Sequence, residues 1–187
     1  MNALLLPPRV QQAYSQWVAL SDGDSNAIHL AKMLAAQTEG HSALSGTLSL
    51  TDDEFYLLMQ QYFPRQDLKG LFLDREGRHF TPEHEQLVEL ILANRAARCK
   101  SEVFFAQILA AGCSGADHLW YDLGFWCRSD LQQFIQLNFP GLVEKNMLGM
   151  RWKKFLYRQL CVDTGINMCR SPSCQSCVEY KECFSPE

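Results

Sequence analysis

The 187-residue chain contains no apolar run that approaches the ~20 residues needed to cross a bilayer, so no membrane span is expected. It begins MNALLLPPRV, where no basic residue precedes the apolar stretch and Pro7-Pro8 ends it after Ala3 to Leu6. That is not the pattern of a secretory leader, and a cytoplasmic location is expected. Positive charge is not in excess either. The 17 Lys and Arg against 21 Asp and Glu give a net charge of -4, which disfavours nucleic acid as a partner. Alternating runs of β type are scarce, and no internal repeat or low-complexity block is present. There is no nucleophile elbow, no phosphate-cradling glycine loop and no dinucleotide fingerprint. These absences argue against an ATP-driven metal chaperone, so any energy or electrons are expected to come from partners.

Helical periodicity is what remains. VQQAYSQWVAL places Val10, Tyr14, Trp17 and Val18 on one face, and SNAIHLAKMLAAQ does the same with Ile28, Ala31, Met33 and Leu34 behind a Ser25 cap. Residues 38–50 are rich in Gly, Ser and Thr and read as a loop. Thr51 and Glu54 form a capping-box pair for TDDEFYLLMQQYF, which Pro64 ends. Residues 65–80 read as a connecting loop. In TPEHEQLVELILANRA, Thr81 is the expected cap and Pro82 the first helical residue, with Leu87, Leu90, Ile91 and Ala97 at helical spacing. SEVFFAQILAAG is expected to close at Gly112, SDLQQFIQLNF to start from a Ser129 cap, and MRWKKFLYRQLC to run to about Cys161. The expectation is all-α: a compact helical domain over 1–162, followed by an irregular cysteine-rich segment over 163–187.

Eight cysteines in a reducing compartment are not a disulfide framework. Four of them crowd into CRSPSCQSCVEYKECF as C-x4-C-x2-C-x5-C: Cys169, Cys174, Cys177 and Cys183. This segment has little apolar area to offset its ordering entropy, and thiolates that bind metal would supply the missing folding energy. The x4 and x2 gaps are similar to the start of the plant-type ferredoxin spacing, which favours an iron–sulfur cluster. A structural zinc on Cys174-x2-Cys177 and the outer pair is the alternative, although a ribbon brings two such knuckles. Free thiols are a third.

The helix leading into this segment is amphipathic in an unusual sense. Trp152, Phe155, Leu156 and Leu160 share one face. Arg151, Lys154 and Arg158 share another, with Lys153 between, and no acidic residue occurs from Met147 to Cys161. Such a face suits an anion, an anionic cluster or an acidic partner. A solvated basic stripe on a core-packed helix accounts for the same residues.

MRWKKFLYRQLC followed by C-x4-C-x2-C-x5-C, with HLWYDLGFWCRSDL and NFPGLVEKN upstream, resembles the NifQ family of nitrogen-fixation proteins. The likeness is most specific over roughly Asp117 to Glu187. Over the first half of the chain it is a matter of compatible length and helical character. The resemblance implies an iron–sulfur cluster of three-iron type able to take up molybdenum as a Mo–Fe–S unit. It further implies donation of that metal during synthesis of the nitrogenase iron–molybdenum cofactor, with the cofactor scaffold complex and dinitrogenase reductase as partners. Carried over residue by residue, the cluster ligands fall on Cys169, Cys174, Cys177 and Cys183, all present. A cuboidal three-iron cluster has an open corner for a fourth metal. Molybdenum arrives as the molybdate dianion, which Arg151, Lys153, Lys154 and Arg158 would gather. An iron–sulfur electron carrier and a zinc-stabilised binding module remain the competing readings.

The other candidates carry weaker signals. Cys161 is expected to be a buried helical cysteine, and Cys127, Cys99 and Cys113 to serve packing. His118 lies in the family-like segment and is expected to be structural. His79 and His84 flank the Thr81 helix start beside Glu83 and Glu85, while His29 and His41 give no signal. Trp120, Tyr121, Phe125 and Trp126 are expected in the core or at a partner interface rather than around a cofactor.

Overall fold

Thr51 shows how faithfully local chemistry sets a helix start in this chain. Its hydroxyl accepts from the Glu54 backbone N–H, and the Glu54 carboxylate accepts from the Thr51 backbone N–H at 3.0 Å, so both halves of the capping box form. The computed structural model describes residues 7–66, 80–164 and 181. Among the described residues there are helices and no strand. They are α1 (Pro8–Leu20), α2 (Ser25–Thr38), α3 (Asp52–Tyr62), α4 (His84–Leu92), α5 (Glu102–Gly112), α6 (Leu119–Asp122), α7 (Arg128–Asn138), α8 (Pro140–Lys145) and α9 (Trp152–Thr164). The all-α expectation holds for this region, and the cysteine-rich segment lies outside it.

Helices α2 and α5 form the centre. Nine residues of α2 and eight of α5 are buried, which requires neighbours on more than one side of each. Helix α1 packs on α2, α4 on α5 and α9, and α7 on α2, α6 and α8. Val10 is buried, with Tyr14, Trp17 and Val18 partly buried against the core, as the periodicity of α1 indicates. A buried pair of amides is one of the polar contacts that tie α2 to α7. The amides of Asn26 and Asn138 exchange hydrogen bonds at 3.1 and 2.8 Å while buried, so neither leaves an unpaired group.

Several expected boundaries move, each for a visible reason. The cap of α2 is Asp24, whose carboxylate accepts from the Asn26 N–H at 2.8 Å, and not Ser25. Helix α4 starts at His84 because Thr81-Pro82-Glu83 first form a turn, with the His84 N–H on the Thr81 carbonyl at 3.1 Å. Ala97 is not helical. It has φ +56°, and the buried Glu102 carboxylate holds the strand of backbone before α5 by accepting from the N–H groups of Ala97, Arg98 and Cys99. Helix α7 starts at Arg128 with Cys127, not Ser129, at its N-cap. Gly112 is the last residue of α5, and its role is close packing: a Cβ there would lie 2.6 Å from the Leu123 side chain. The short helices α6 and α8 carry too few turns to show a period in sequence. Residues 39–50 are irregular as expected, yet Thr47, Leu48, Ser49 and Leu50 are buried.

Candidate metal centre

The approach to the cysteine segment is α9. Trp152, Phe155, Leu156 and Leu160 are all buried, as their shared face demands, and each contributes roughly 1.5–3 kcal/mol by leaving water. This fixes the helix that leads towards the four cysteines. Cys169, Cys174, Cys177 and Cys183 themselves lie outside the described residues, as does His79. Helix α9 continues past Cys161 to Thr164.

The basic residues of this helix separate into two kinds. Lys154 and Arg158 are exposed and Arg151 is half-buried. Lys153 turns inward: its ammonium donates to the Gly115 carbonyl at 2.8 Å and pairs with the Asp122 carboxylate at the end of α6. Asp122 is a node for three segments. Its carboxylate also accepts from the Asp117 N–H at 3.1 Å, and its backbone carbonyl accepts from the Ser42 hydroxyl and the Ala43 N–H, both at 2.8 Å. Gly115 is required here, because any Cβ would strike the Asp122 carboxylate. The loop 113–118, the loop 42–43 and the start of α9 are thereby fastened together. Sequence reasoning missed this arrangement, since Lys153 and Asp122 are 31 residues apart with nothing local to link them.

Of the cysteines outside the tail, Cys113 and Cys161 are buried and Cys99 packs against the core. Cys113 is buried, its thiol donates to the Leu109 carbonyl at 3.5 Å, and burial pushes it up to about 12 against the opposing pull of Lys153. A thiol so far from ionising is a poor ligand. Cys161 is buried on α9. Cys127 lies 2.9 Å from the Ser129 hydroxyl at the start of α7, and Cys99 lies 4.0 Å from the Tyr62 hydroxyl.

The described histidines have different surroundings. His118 is the N-cap residue of α6, with its ring parallel to Trp120 at 6.5 Å. His84 stacks on Phe80 at 3.9 Å, and burial lowers its pKa. His29, silent in sequence, is buried between Phe125 and Phe134, with ring centroids 5.7 and 5.6 Å away. Desolvation lowers it to about 4, with Lys32 adding to the effect. The aromatic run behaves as core: Phe125 is buried, Trp120 packs against the core, and Trp126 meets Tyr14 edge-on at 4.7 Å. Lys32 lies over the Trp126 ring and pairs with the buried Asp130 at 2.7 Å. Among the described residues no three His, Cys, Asp or Glu side chains come together as a metal site, and no helix is long and apolar enough to cross a membrane.

The described residues define a class: an all-α body whose last described long helix, basic on its exposed side, precedes a four-cysteine segment in the sequence. Comparison with known proteins supplies the rest. The NifQ family model matches residues 29–185. The chain is 35% identical to protein NifQ of Azotobacter vinelandii, covering 87% of this chain and 90% of that one. It is 35% identical to protein NifQ of Rhodobacter capsulatus, covering 84% and 87%, and 48% identical to protein NifQ of Klebsiella pneumoniae over a shorter stretch, covering 42% and 48%. No solved structure matches. The chain belongs to the NifQ family, which is implicated in the molybdenum function that serves nitrogenase.

Proposed function

We propose that this protein binds molybdenum in a Mo–Fe–S cluster and donates it to the cofactor scaffold complex during assembly of the nitrogenase iron–molybdenum cofactor, together with dinitrogenase reductase. The observation that carries this reading is the family match, whose span of 29–185 takes in all four tail cysteines. Cys169, Cys174, Cys177 and Cys183 would hold the cluster. Their donor chemistry fits it, because thiolates suit iron–sulfur units and soft metals and reject magnesium and calcium. The cluster, when bound, would supply the open metal position that molybdenum enters. Molybdenum is cargo, and the protein is a carrier rather than an enzyme that turns over.

The rest of the chain supports that role by placement and charge. The buried face of α9 anchors that helix, which leads in sequence into the four-cysteine segment, to the helical core. Lys154 and Arg158 offer positive charge to molybdate on its exposed side, and Arg151 does so at its start. Lys153, committed to Asp122, contributes by holding α9 in place. The test is hand-over. Protein loaded without oxygen with iron, sulfide and labelled molybdate should pass the label to purified scaffold complex in the presence of dinitrogenase reductase. Label that stays on the protein, or that the scaffold acquires equally from free molybdate, would refute donation.

A further inference from the structure

We infer that the turn 146–149, between α8 and α9, is a docking hook for the acceptor of the metal, and that the acceptor meets it with an apolar pocket rimmed by acidic side chains. This rests on the delivery reading above and adds to it the surface that docks. Met147 and Leu148 are the two most exposed large hydrophobic residues among those described, at 86% and 75%. Single exposed apolar residues are ordinary. An adjacent pair at the tip of a clamped turn is a different arrangement.

The clamp is specific. The Asn146 side chain donates to the Met150 carbonyl and accepts from the Met150 N–H, both at 2.9 Å. The Gly149 N–H donates to the Asn146 carbonyl at 2.9 Å, and the Arg128 guanidinium donates to the Gly149 carbonyl at 2.8 Å. Met150 is buried directly after the turn, and Gly149 adopts φ +67°. The tip is therefore preorganised, so docking loses little further backbone entropy.

The charge around the tip selects the partner. Exposed Lys145 and half-buried Arg151 flank it, exposed Lys154 and Arg158 follow, and Glu144 is the one acidic residue from 144 to 162. An acidic surface is attracted to this set and aligned by it. A second copy meeting the same surface across a two-fold axis would bring like charges together. Two side chains also bury too little apolar area to hold a membrane.

The experiment measures binding of the full-length, anaerobically loaded protein to purified nitrogenase cofactor scaffold complex, across a range of salt. The double variant M147S, L148S should bind at least tenfold more weakly with unchanged iron and molybdenum content. The double variant K145E, K154E should also bind more weakly and lose much of the salt dependence. Wild-type affinity and wild-type delivery in M147S, L148S would overturn the hook and leave the delivery reading standing. No binding by the wild type would overturn both. Self-association, or adhesion to phosphatidylglycerol vesicles, that disappears in M147S, L148S would also overturn the hook, assigning the turn to a second copy or to a membrane. Serine variants of the four tail cysteines should bind normally and deliver nothing.

Discussion

Lys153 and Asp122 form an ion pair inside the protein, and it joins the start of α9 to the end of α6. Both side chains are largely withdrawn from water, at 19% and 7% exposure. A pair so placed is expensive to break from one side, because the remaining charge stays buried without its partner. Lys153→Met should therefore destabilise the fold by about 3 kcal/mol or more in denaturant titration. Adding Asp122→Asn to that variant should recover part of the loss, since the amide can still accept from the Asp117 N–H. Equal stability of Lys153→Met and wild type would show that the pair does not hold α9.

The same contrast predicts different outcomes along one basic helix. Lys154 and Arg158 are exposed, so Lys154→Glu with Arg158→Glu should shift stability by no more than about 1 kcal/mol. Molybdenum loading from molybdate should nevertheless fall several-fold, measured by metal analysis at low salt. Raising the salt should narrow the gap between variant and wild type, because exposed charges are screened within about 10 Å at 0.1 M. Loading that ignores both charge and salt would remove these residues from the path of molybdate.

His29 makes the fold sensitive to acid. Burial between Phe125 and Phe134 keeps its imidazole neutral down to about pH 4, Lys32 reinforces this, and Asp130 and Asp24 oppose it. The unfolded chain takes up that proton near its ordinary value of 6.5. Below pH 6.5 the unfolded state binds more protons, so stability falls as the pH drops from 6.5 to about 4 and is unaffected by this group above that window. The full effect is on the order of 3 kcal/mol. His29→Leu should flatten the stability profile over this window relative to wild type, with carboxylate titrations common to both proteins cancelling in the difference.

Gly124 sits in the family-like segment for a backbone reason. Its φ is +82°, and a Cβ there would lie 2.6 Å from the Cβ of Ala36 on α2. Gly124→Ala combines a left-handed conformation with a steric clash, so it should cost about 2 kcal/mol or more. Ala36→Gly in the same chain should relieve the clash and leave the backbone penalty. A melting temperature unchanged by Gly124→Ala would contradict this account.

What was readable in the sequence follows the range over which each cause acts. The capping box at Thr51, the buried stripe of α9 and the helical class are products of neighbours within a few residues, and they emerge as expected. The cap at Asp24 and the starts at His84 and Arg128 shift because turns and side chains compete for the same backbone donors over two or three residues. Lys153–Asp122, Lys32–Asp130 and Asn26–Asn138 join residues 31 to 112 positions apart, and no periodicity announces them. Lys153 reads as one cation among the four from Arg151 to Arg158 until the fold turns it inward. The four tail cysteines lie outside the described residues, so the cluster reading stands on their local C-x4-C-x2-C-x5-C spacing alone.

The most direct measurement is the metal content of protein purified without oxygen, compared with Cys169→Ser, Cys174→Ser, Cys177→Ser and Cys183→Ser variants, singly and combined. The account predicts iron, sulfide and molybdenum in the wild type, with each falling in the single variants and absent when all four sulfurs are replaced. Stoichiometric zinc in a colourless wild type, iron that cycles in redox state without ever accompanying molybdenum, or undiminished iron and molybdenum in the fourfold variant would contradict it.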